Sequence, residues 1–161
     1  MRLAKVPKFI NIDSSFPLLV DYFEKQADIL AVYLYGSYGT EFQTPLSDVD
    51  IAVLFHSKPD FERLLDIQGH ISDICRNDDI NVLVLNEAPV MLQFKVIMTG
   101  RLLYERERNK LSDFLEHVFK LYGDFAPFYA AFCREYDASL RETYVYDRQD
   151  QVERQDGLHR E

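Results

Sequence analysis

The sequence has few residues that interrupt regular structure and few that form crosslinks. Its 161 residues include only 6 glycines, 6 prolines and 2 cysteines. So few glycines and prolines predict long helices and strands. Cys75 and Cys133 lack the paired spacing of a zinc site, so we expect reduced thiols and a cytoplasmic protein.

Positive charge and long apolar runs are also scarce. The chain has 18 Lys and Arg against 27 Asp and Glu, a formal net charge of -9. This balance disfavours gripping a nucleic-acid backbone, which needs a basic face. No run approaches the roughly 18 apolar residues that cross a bilayer, and the N-terminus lacks the apolar stretch of a signal peptide. We therefore expect no direct nucleic-acid contact and no membrane, and the acidity permits a basic protein partner or divalent cations.

The hydrophobic pattern predicts one folded domain of the α/β (α+β) class. A hydrophobic share of 47% is enough for a real core. Periodicity predicts helices at 16–27, 60–75, 89–99 and 108–136, and strands at 29–35, 49–55, 80–85 and 102–104. Ser14 or Ser15 and Asp60 are the expected N-caps, and Gly100 the expected C-cap. We expect a small mixed sheet with helices mainly on one side and a long C-terminal helix, within a domain 1–145 followed by a disordered polar tail 146–161.

The most informative segment is LYGSYGTEFQTPLSDVDIAVLF, residues 34–55. One predicted strand ends at Gly36-Ser37, and Asp48 and Asp50 open the next. Because side chains alternate along a strand, both aspartates project to one face, with Cα atoms about 6.5–7 Å apart. Two carboxylates at that separation can share divalent metals about 3.5–4 Å apart, as in displacement reactions at phosphorus.

The glycine and serine residues suggest the other half of this chemistry. Gly36 lets a phosphate approach the backbone, and the Ser37 hydroxyl can donate to a phosphate oxygen. Ser47, next to the carboxylates, is a further candidate for contact with a nucleotide. Carboxylates and phosphates belong together only with a metal between them, which predicts Mg²⁺. An ordinary turn and a solvated strand start are the alternative, but the combination favours a site.

The pattern Gly-Ser-x10-Asp-x-Asp resembles the minimal nucleotidyltransferase family of the DNA polymerase β-like superfamily. The later stretch NVLVLNEAPVMLQFKVIMTGRLLYERER resembles the antitoxin branch of that family, as does YGDF at 122–125. The resemblance covers roughly residues 29–130 and implies the nucleotidyltransferase fold. It also implies an antitoxin that pairs with a HEPN-domain RNase toxin and transfers AMP from ATP onto toxin tyrosines, in a homo- or hetero-oligomer. Asp48 and Asp50 would bind the metal, and Gly36 and Ser37 the phosphates.

One position departs from the family. Its members usually carry a third carboxylate on the next strand, where this chain has Asn81. Asparagine cannot act as a carboxylate base. Asp79, two residues earlier on the same face, is the alternative base, or a solvated turn residue. Asn81 therefore leaves open a second function, an antitoxin that acts by binding alone.

Three further questions stay open at this point. A small-molecule nucleotidyltransferase that modifies an antibiotic is a third function, although the chain has little room for a substrate-binding domain. Arg101 and Arg106 flank the predicted last strand and either neutralise a triphosphate or lie on the surface. The aromatic residues of the last helix either pack against the domain or form a docking surface for a partner.

Overall fold

The protein is described by a computed structural model, which covers residues 8–157. It contains two compact units, one ending at Lys120 and the other beginning at Leu121. The helices are α1 (Phe16–Glu24), α2 (Phe61–Cys75), α3 (Val90–Thr99) and α4 (Arg108–Gly157), and the strands are β1 (Ile29–Tyr35), β2 (Val49–Phe55), β3 (Ile80–Val84) and β4 (Arg101–Glu105). Every predicted helix and strand is present, and the predicted bounds are close except at the end of α4.

The four strands form one mixed sheet in the order β3-β2-β1-β4. β1 is antiparallel to both β2 and β4, whereas β2 and β3 are parallel. The predicted small mixed sheet is confirmed. Its register places Tyr35 opposite Asp50, and Asp50 opposite Asn81. The end of β1 and the starts of β2 and β3 therefore meet at one edge of the sheet.

Helices cover both faces of this sheet, so the expectation that they lie mainly on one side is wrong. Val32 belongs to a core cluster with Phe23 of α1 and Ile71 of α2. Its neighbour Tyr33 belongs to a second cluster with Val96 of α3. β1 and β2 are apolar at nearly every position, which is typical of strands that are buried on both faces rather than on one.

Asp60, Ser15 and Gly100 lie at the predicted helix ends, but only Asp60 caps its helix through a side chain. The Asp60 carboxylate accepts a hydrogen bond from the Arg63 backbone N–H at 2.8 Å, as an N-cap does. Ser15 precedes α1 without a side-chain cap bond. Gly100 ends α3 with a negative φ of -75°. A Cβ atom at Gly100 would collide with the Val96 carbonyl oxygen, so glycine is needed there for close approach rather than for a left-handed turn.

Arg106 ties the end of α1 to the sheet. Its guanidinium donates hydrogen bonds to four backbone carbonyls, those of Phe23, Glu24, Gln26 and Ile29. Phe23 and Glu24 belong to the last turn of α1, where a helix leaves carbonyls without intrahelical partners and an arginine is a favourable neighbour. Arg106 is therefore a structural residue, and the alternative that it neutralises a triphosphate is set aside.

The second unit is the continuation of α4, which runs to Gly157. The sequence predicts a helix end at 136 and a polar tail from 146, but the helical backbone passes through both. The Arg, Gln and Glu residues of that stretch are good helix formers, and a helix satisfies backbone hydrogen bonds within its own segment. Residues 158–161 of the predicted tail lie outside the described residues, and the boundary at 145 stays a prediction. Among residues 8–157, none of the helices has the length and apolar character that crossing a membrane requires.

Candidate active site

Gly36 forms the turn that ends β1, and two constraints select glycine there. Its φ is +79°, a left-handed conformation that other residues adopt only with strain. A Cβ atom at this position would also collide with the Asp50 carboxylate oxygen Oδ2. The turn is therefore in direct contact with the carboxylate, and the two halves of the sequence motif belong to one site.

Asp48, Asp50 and Asn81 meet at the edge of the sheet next to this turn. The Asn81 side-chain Nδ2 lies 3.2 Å from Asp48 Oδ2 and 3.2 Å from Asp50 Oδ1. Asp48 and Asn81 are exposed and Asp50 is half-buried. Because one nitrogen atom contacts both carboxylates, these converge on the same side of the sheet, as the alternation of strand side chains predicts.

The donor set fits a magnesium ion shared with a substrate. Mg²⁺ prefers oxygen ligands, keeps several waters and is commonly held by one or two carboxylates together with substrate phosphates. The Asn81 side-chain NH₂ group lies between the two carboxylates that would hold such an ion. Within the described part of the chain, no group of three or more His, Cys, Asp or Glu side chains is placed to hold a metal without such help.

Asp79 lies at the entrance of β3 rather than inside this cluster. Its backbone carbonyl accepts a hydrogen bond from the Val49 N–H at 2.9 Å, and its own N–H donates to the Asn77 side chain at 2.7 Å. The register continues backwards from Val49 opposite Ile80, which brings Asp79 towards Asp48. Its side chain is exposed. Of the four predicted catalytic residues, the structure therefore brings three into mutual contact and leaves Asp79 beside them.

The loop between the two halves of the motif is held by its own polar side chains. The Ser37 carbonyl accepts hydrogen bonds from both the backbone N–H and the hydroxyl of Thr40. The Ser47 hydroxyl accepts one from the Thr44 N–H at 2.9 Å. The Ser47 side chain is thus used to fix the loop immediately before Asp48, a role that the sequence did not predict.

A cavity of about 270 Å³ opens on the β4 side of Gly36. Its lining combines Gly36 and Gly39 with Asp13, Tyr38, Thr99 and Arg101, and some neighbouring residues. Segments that lie far apart in the chain build it, which is why sequence reasoning missed it. Arg101 is exposed and lines this cavity, and its guanidinium lies over the Phe16 ring, 5.1 Å from the ring centre.

Tyr38 anchors the loop side of the cavity. Its hydroxyl accepts a hydrogen bond from the Ile12 N–H and donates one to the Asp13 carboxylate, each at 2.8 Å. Burial raises the pKa of Tyr38, and burial followed by the negative charge of Asp50 raises the pKa of Tyr35 at the end of β1. Both phenols therefore stay neutral at physiological pH and act only as hydrogen-bonding groups.

Cys75 takes no part in the site. It lies at the end of α2 in the core, and burial raises the pKa of its thiol to about 11. A thiol that is protonated at neutral pH is a poor nucleophile.

We expect Gly36→Ala to destabilise the fold more than Gly39→Ala. Both glycines have a positive φ, +79° and +71°, so alanine pays about 1–2 kcal/mol of backbone strain at either position. Only at Gly36 does the new Cβ also meet the Asp50 carboxylate; at Gly39 nothing lies within 4 Å. Urea denaturation of the two variants measures the difference, and equal free energies of unfolding would contradict the contact between Gly36 and Asp50.

A mixed sheet that presents a glycine turn and two convergent carboxylates at one edge is the architecture of a nucleotidyltransferase. The sequence model of the family "Polymerase beta, Nucleotidyltransferase" matches residues 18–109, which is more than half of the chain. The protein therefore belongs to the polymerase β-type nucleotidyltransferase family.

One curated relative and several solved structures are similar to this chain. The relative is "Putative protein adenylyltransferase MJ0128" of Methanocaldococcus jannaschii, 33% identical over 46 residues, which are 29% of this chain and 47% of that protein. The match thus spans about half the length of this relative.

The similar structures share the fold at low sequence identity. A chain of a toxin–antitoxin crystal structure with AMP-PNP matches with a TM-score of 0.62 and 20% identity, over 76% of this chain and 97% of its own. A chain of the MntA-HepT toxin–antitoxin crystal structure matches with a TM-score of 0.59 and 17% identity, over 76% of this chain and 96% of its own. A chain from a complex of tri-AMPylated Shewanella oneidensis HEPN toxin with MNT antitoxin matches with a TM-score of 0.54 and 17% identity. The match covers 73% of this chain and 95% of that one. At these identities, the likeness confirms the fold.

Proposed function

We propose that this protein is an antitoxin that transfers AMP from ATP to a tyrosine hydroxyl of a cognate HEPN RNase toxin and so neutralises it. The observation that carries the proposal is the convergence of Asp48 and Asp50 against the Gly36 turn. Membership of the nucleotidyltransferase family supports the reaction class. The toxin–antitoxin complexes among the similar structures, one with AMP-PNP and one with an AMPylated toxin, support the nucleotide and the partner.

In the proposed site, the aspartates of the motif bind the cation and its Gly-Ser turn binds the anionic phosphates. Asp48 and Asp50 would hold Mg²⁺, which would neutralise phosphate charge and polarise the reacting phosphorus. The backbone at Gly36 and the Ser37 hydroxyl contact the phosphate oxygens, and Ser47 keeps the loop before Asp48 in place. Arg101, at the mouth of the adjoining cavity, offers a guanidinium to the end of the triphosphate.

The reaction is a displacement at the α-phosphorus of ATP. The tyrosine oxygen forms a new bond to this phosphorus, and the bond from the phosphorus to the bridging oxygen of the β-phosphate breaks. Pyrophosphate leaves with the bonding electrons, and the tyrosine proton passes to a base. The chain's own candidate for this base is Asp79, because the amide of Asn81 cannot accept the proton; a residue of the partner or solvent is the other route.

Asn81 favours a second function, in which the protein keeps the fold and silences the toxin by binding alone. An antitoxin that blocks its toxin by binding alone does not need a bound metal or a complete set of metal ligands. Modification of an antibiotic, the third function, finds less support, because the described first unit is filled by the nucleotidyltransferase core itself and α4 is the only element beyond it among residues 8–157.

The test of the proposed function is co-expression with a HEPN-type protein, sought first among the products of the adjacent genes. We expect the two proteins to elute together from a size-exclusion column at micromolar concentration. With ATP and magnesium, the partner should gain the mass of one or more AMP groups on tyrosine and lose its RNase activity. Separate elution with unchanged RNase activity would refute the antitoxin, and silencing without a mass gain would select the binding function.

A further inference from the structure

The orientation of the Asn81 amide follows from the chemistry of its neighbours. An asparagine amide has a donor NH₂ end and an acceptor oxygen, whereas ionised carboxylates can only accept. An amide between Asp48 and Asp50 must therefore present its NH₂ group to them. The structure has this arrangement, with Nδ2 at 3.2 Å from an oxygen of each carboxylate.

The NH₂ group of Asn81 donates to carboxylate lone pairs that a metal ion would also need. Two ionised carboxylates side by side repel each other, and the partial positive charge of the NH₂ group between them lowers this repulsion. A divalent cation bound by Asp48 and Asp50 would need the same space and would repel the amide hydrogens. The amide and the cation therefore compete for one pair of carboxylates.

We propose that Asn81 covers the carboxylates of the metal-free protein and must turn or move aside when a divalent cation binds. The terminal torsion of asparagine is broad and roughly two-fold, so the movement meets a low barrier. The inference rests on the proposed role of Asp48 and Asp50 as metal ligands. Its consequence is a site that is stable without metal, binds metal weakly alone and loads it best together with the phosphate oxygens of the nucleotide.

The direction in which one substitution changes the Mn²⁺ affinity distinguishes an amide that covers the carboxylates from one that binds the metal. Asn81→Ala removes the competing amide and adds no charge. If the amide covers the site, Mn²⁺ alone should bind about fivefold more tightly to this variant, which corresponds to the loss of one net hydrogen bond of about 1 kcal/mol. If Asn81 were a metal ligand, the same variant would bind Mn²⁺ more weakly.

Asn81→Asp tests the same competition with an added charge. A third carboxylate at about 4 Å from the divalent cation should tighten Mn²⁺ binding by about 30-fold if the site has the dielectric of water, and by more at a lower effective dielectric constant. The matched control is Asn109→Asp, the same substitution at an exposed position in the first turn of α4, which should leave Mn²⁺ binding unchanged.

The measurement is the concentration of free Mn²⁺ by electron paramagnetic resonance during titration of the four proteins, each checked for folding by circular dichroism. A second measurement uses the natural protein, in which the side-chain NH₂ signals of Asn81 should shift on addition of Mg²⁺ while those of Asn109 stay in place. The proposed cover is refuted if Asn81→Ala binds Mn²⁺ equally or more weakly than the natural protein. It is also refuted if the Asn81 signals do not shift in a protein that binds Mg²⁺. Neither result contradicts the metal site itself. Binding of Mn²⁺ by none of the proteins overturns both.

Discussion

Replacing Asp48 and Asp50 together by asparagine is expected to abolish magnesium-dependent ATP binding and to lower AMP transfer by at least about 10³-fold. The two carboxylates are the charged groups that converge at the Gly36 turn. Without them, the turn loses the ligands of the metal that would offset the triphosphate charge, and the Arg101 guanidinium alone does not replace a divalent cation. Losing a single electrostatic group that stabilises a transition state commonly costs 10²–10³-fold, so losing the metal should cost at least as much.

The same double variant should keep its fold. The carboxylates lie at the edge of the sheet, where Asp48 is exposed, and the Asn81 amide can still donate to the new amide oxygens. Replacing both removes the repulsion between two like charges, so the free energy of unfolding should stay the same or rise slightly. A normal melting temperature thus separates loss of the site from loss of the fold.

The matched control is Asp21→Asn with Asp73→Asn, which removes two charges from exposed helix positions of the same unit. It should bind ATP with magnesium as the natural protein does. Isothermal titration of ATP in magnesium, together with the transfer rate onto the partner, measures all three proteins. Unchanged ATP affinity in the Asp48 and Asp50 variant would remove the site assignment.

Replacing Asn81 by aspartate is expected to raise AMP transfer by about 10²–10⁴-fold. A positioned general base typically contributes this much, and the natural protein has an amide at the position that Asp50 faces across the parallel register. The natural protein should therefore transfer AMP slowly. In Asn81→Asp, the new carboxylate lies within reach of both metal-binding carboxylates and can accept the tyrosine proton.

Asp79→Ala identifies where the residual activity comes from. If Asp79 has taken over the role of the base, its removal should lower the slow transfer of the natural protein, and it should matter much less in the Asn81→Asp background. The mass of the partner, followed over time with ATP and magnesium, gives the rates, with Asn109→Asp as the control for added charge.

Each result of this series assigns the function differently. Equal rates for the natural protein and Asn81→Asp would show that the third carboxylate is dispensable. No transfer by any variant, with the toxin still silenced, would show that the protein is an antitoxin that acts by binding.

The sequence by itself determined the elements and the family. The bounds of β1 and β2 were predicted without error because both strands are dense apolar runs, one ending just before Gly36 and the other beginning just after Asp48. The prediction that helices lie mainly on one side of the sheet did not use this apolar density. Strands without polar alternation are buried on both faces, which requires helices on both sides. The motif Gly36-Ser37 with Asp48 and Asp50 pointed to the family that the comparison confirmed.

Only the tertiary structure decided how the polar residues are used. Arg101 and Arg106 are equivalent in the sequence, yet Arg106 caps the carbonyls at the end of α1 while Arg101 lies at a cavity beside Gly36. Asn81 is more than thirty positions from Asp48, and the parallel pairing of β2 with β3 brings its amide between the two carboxylates. Local pattern fixes which face of a strand a residue occupies, but the partners of a polar group depend on strand order and register, which long-range packing sets.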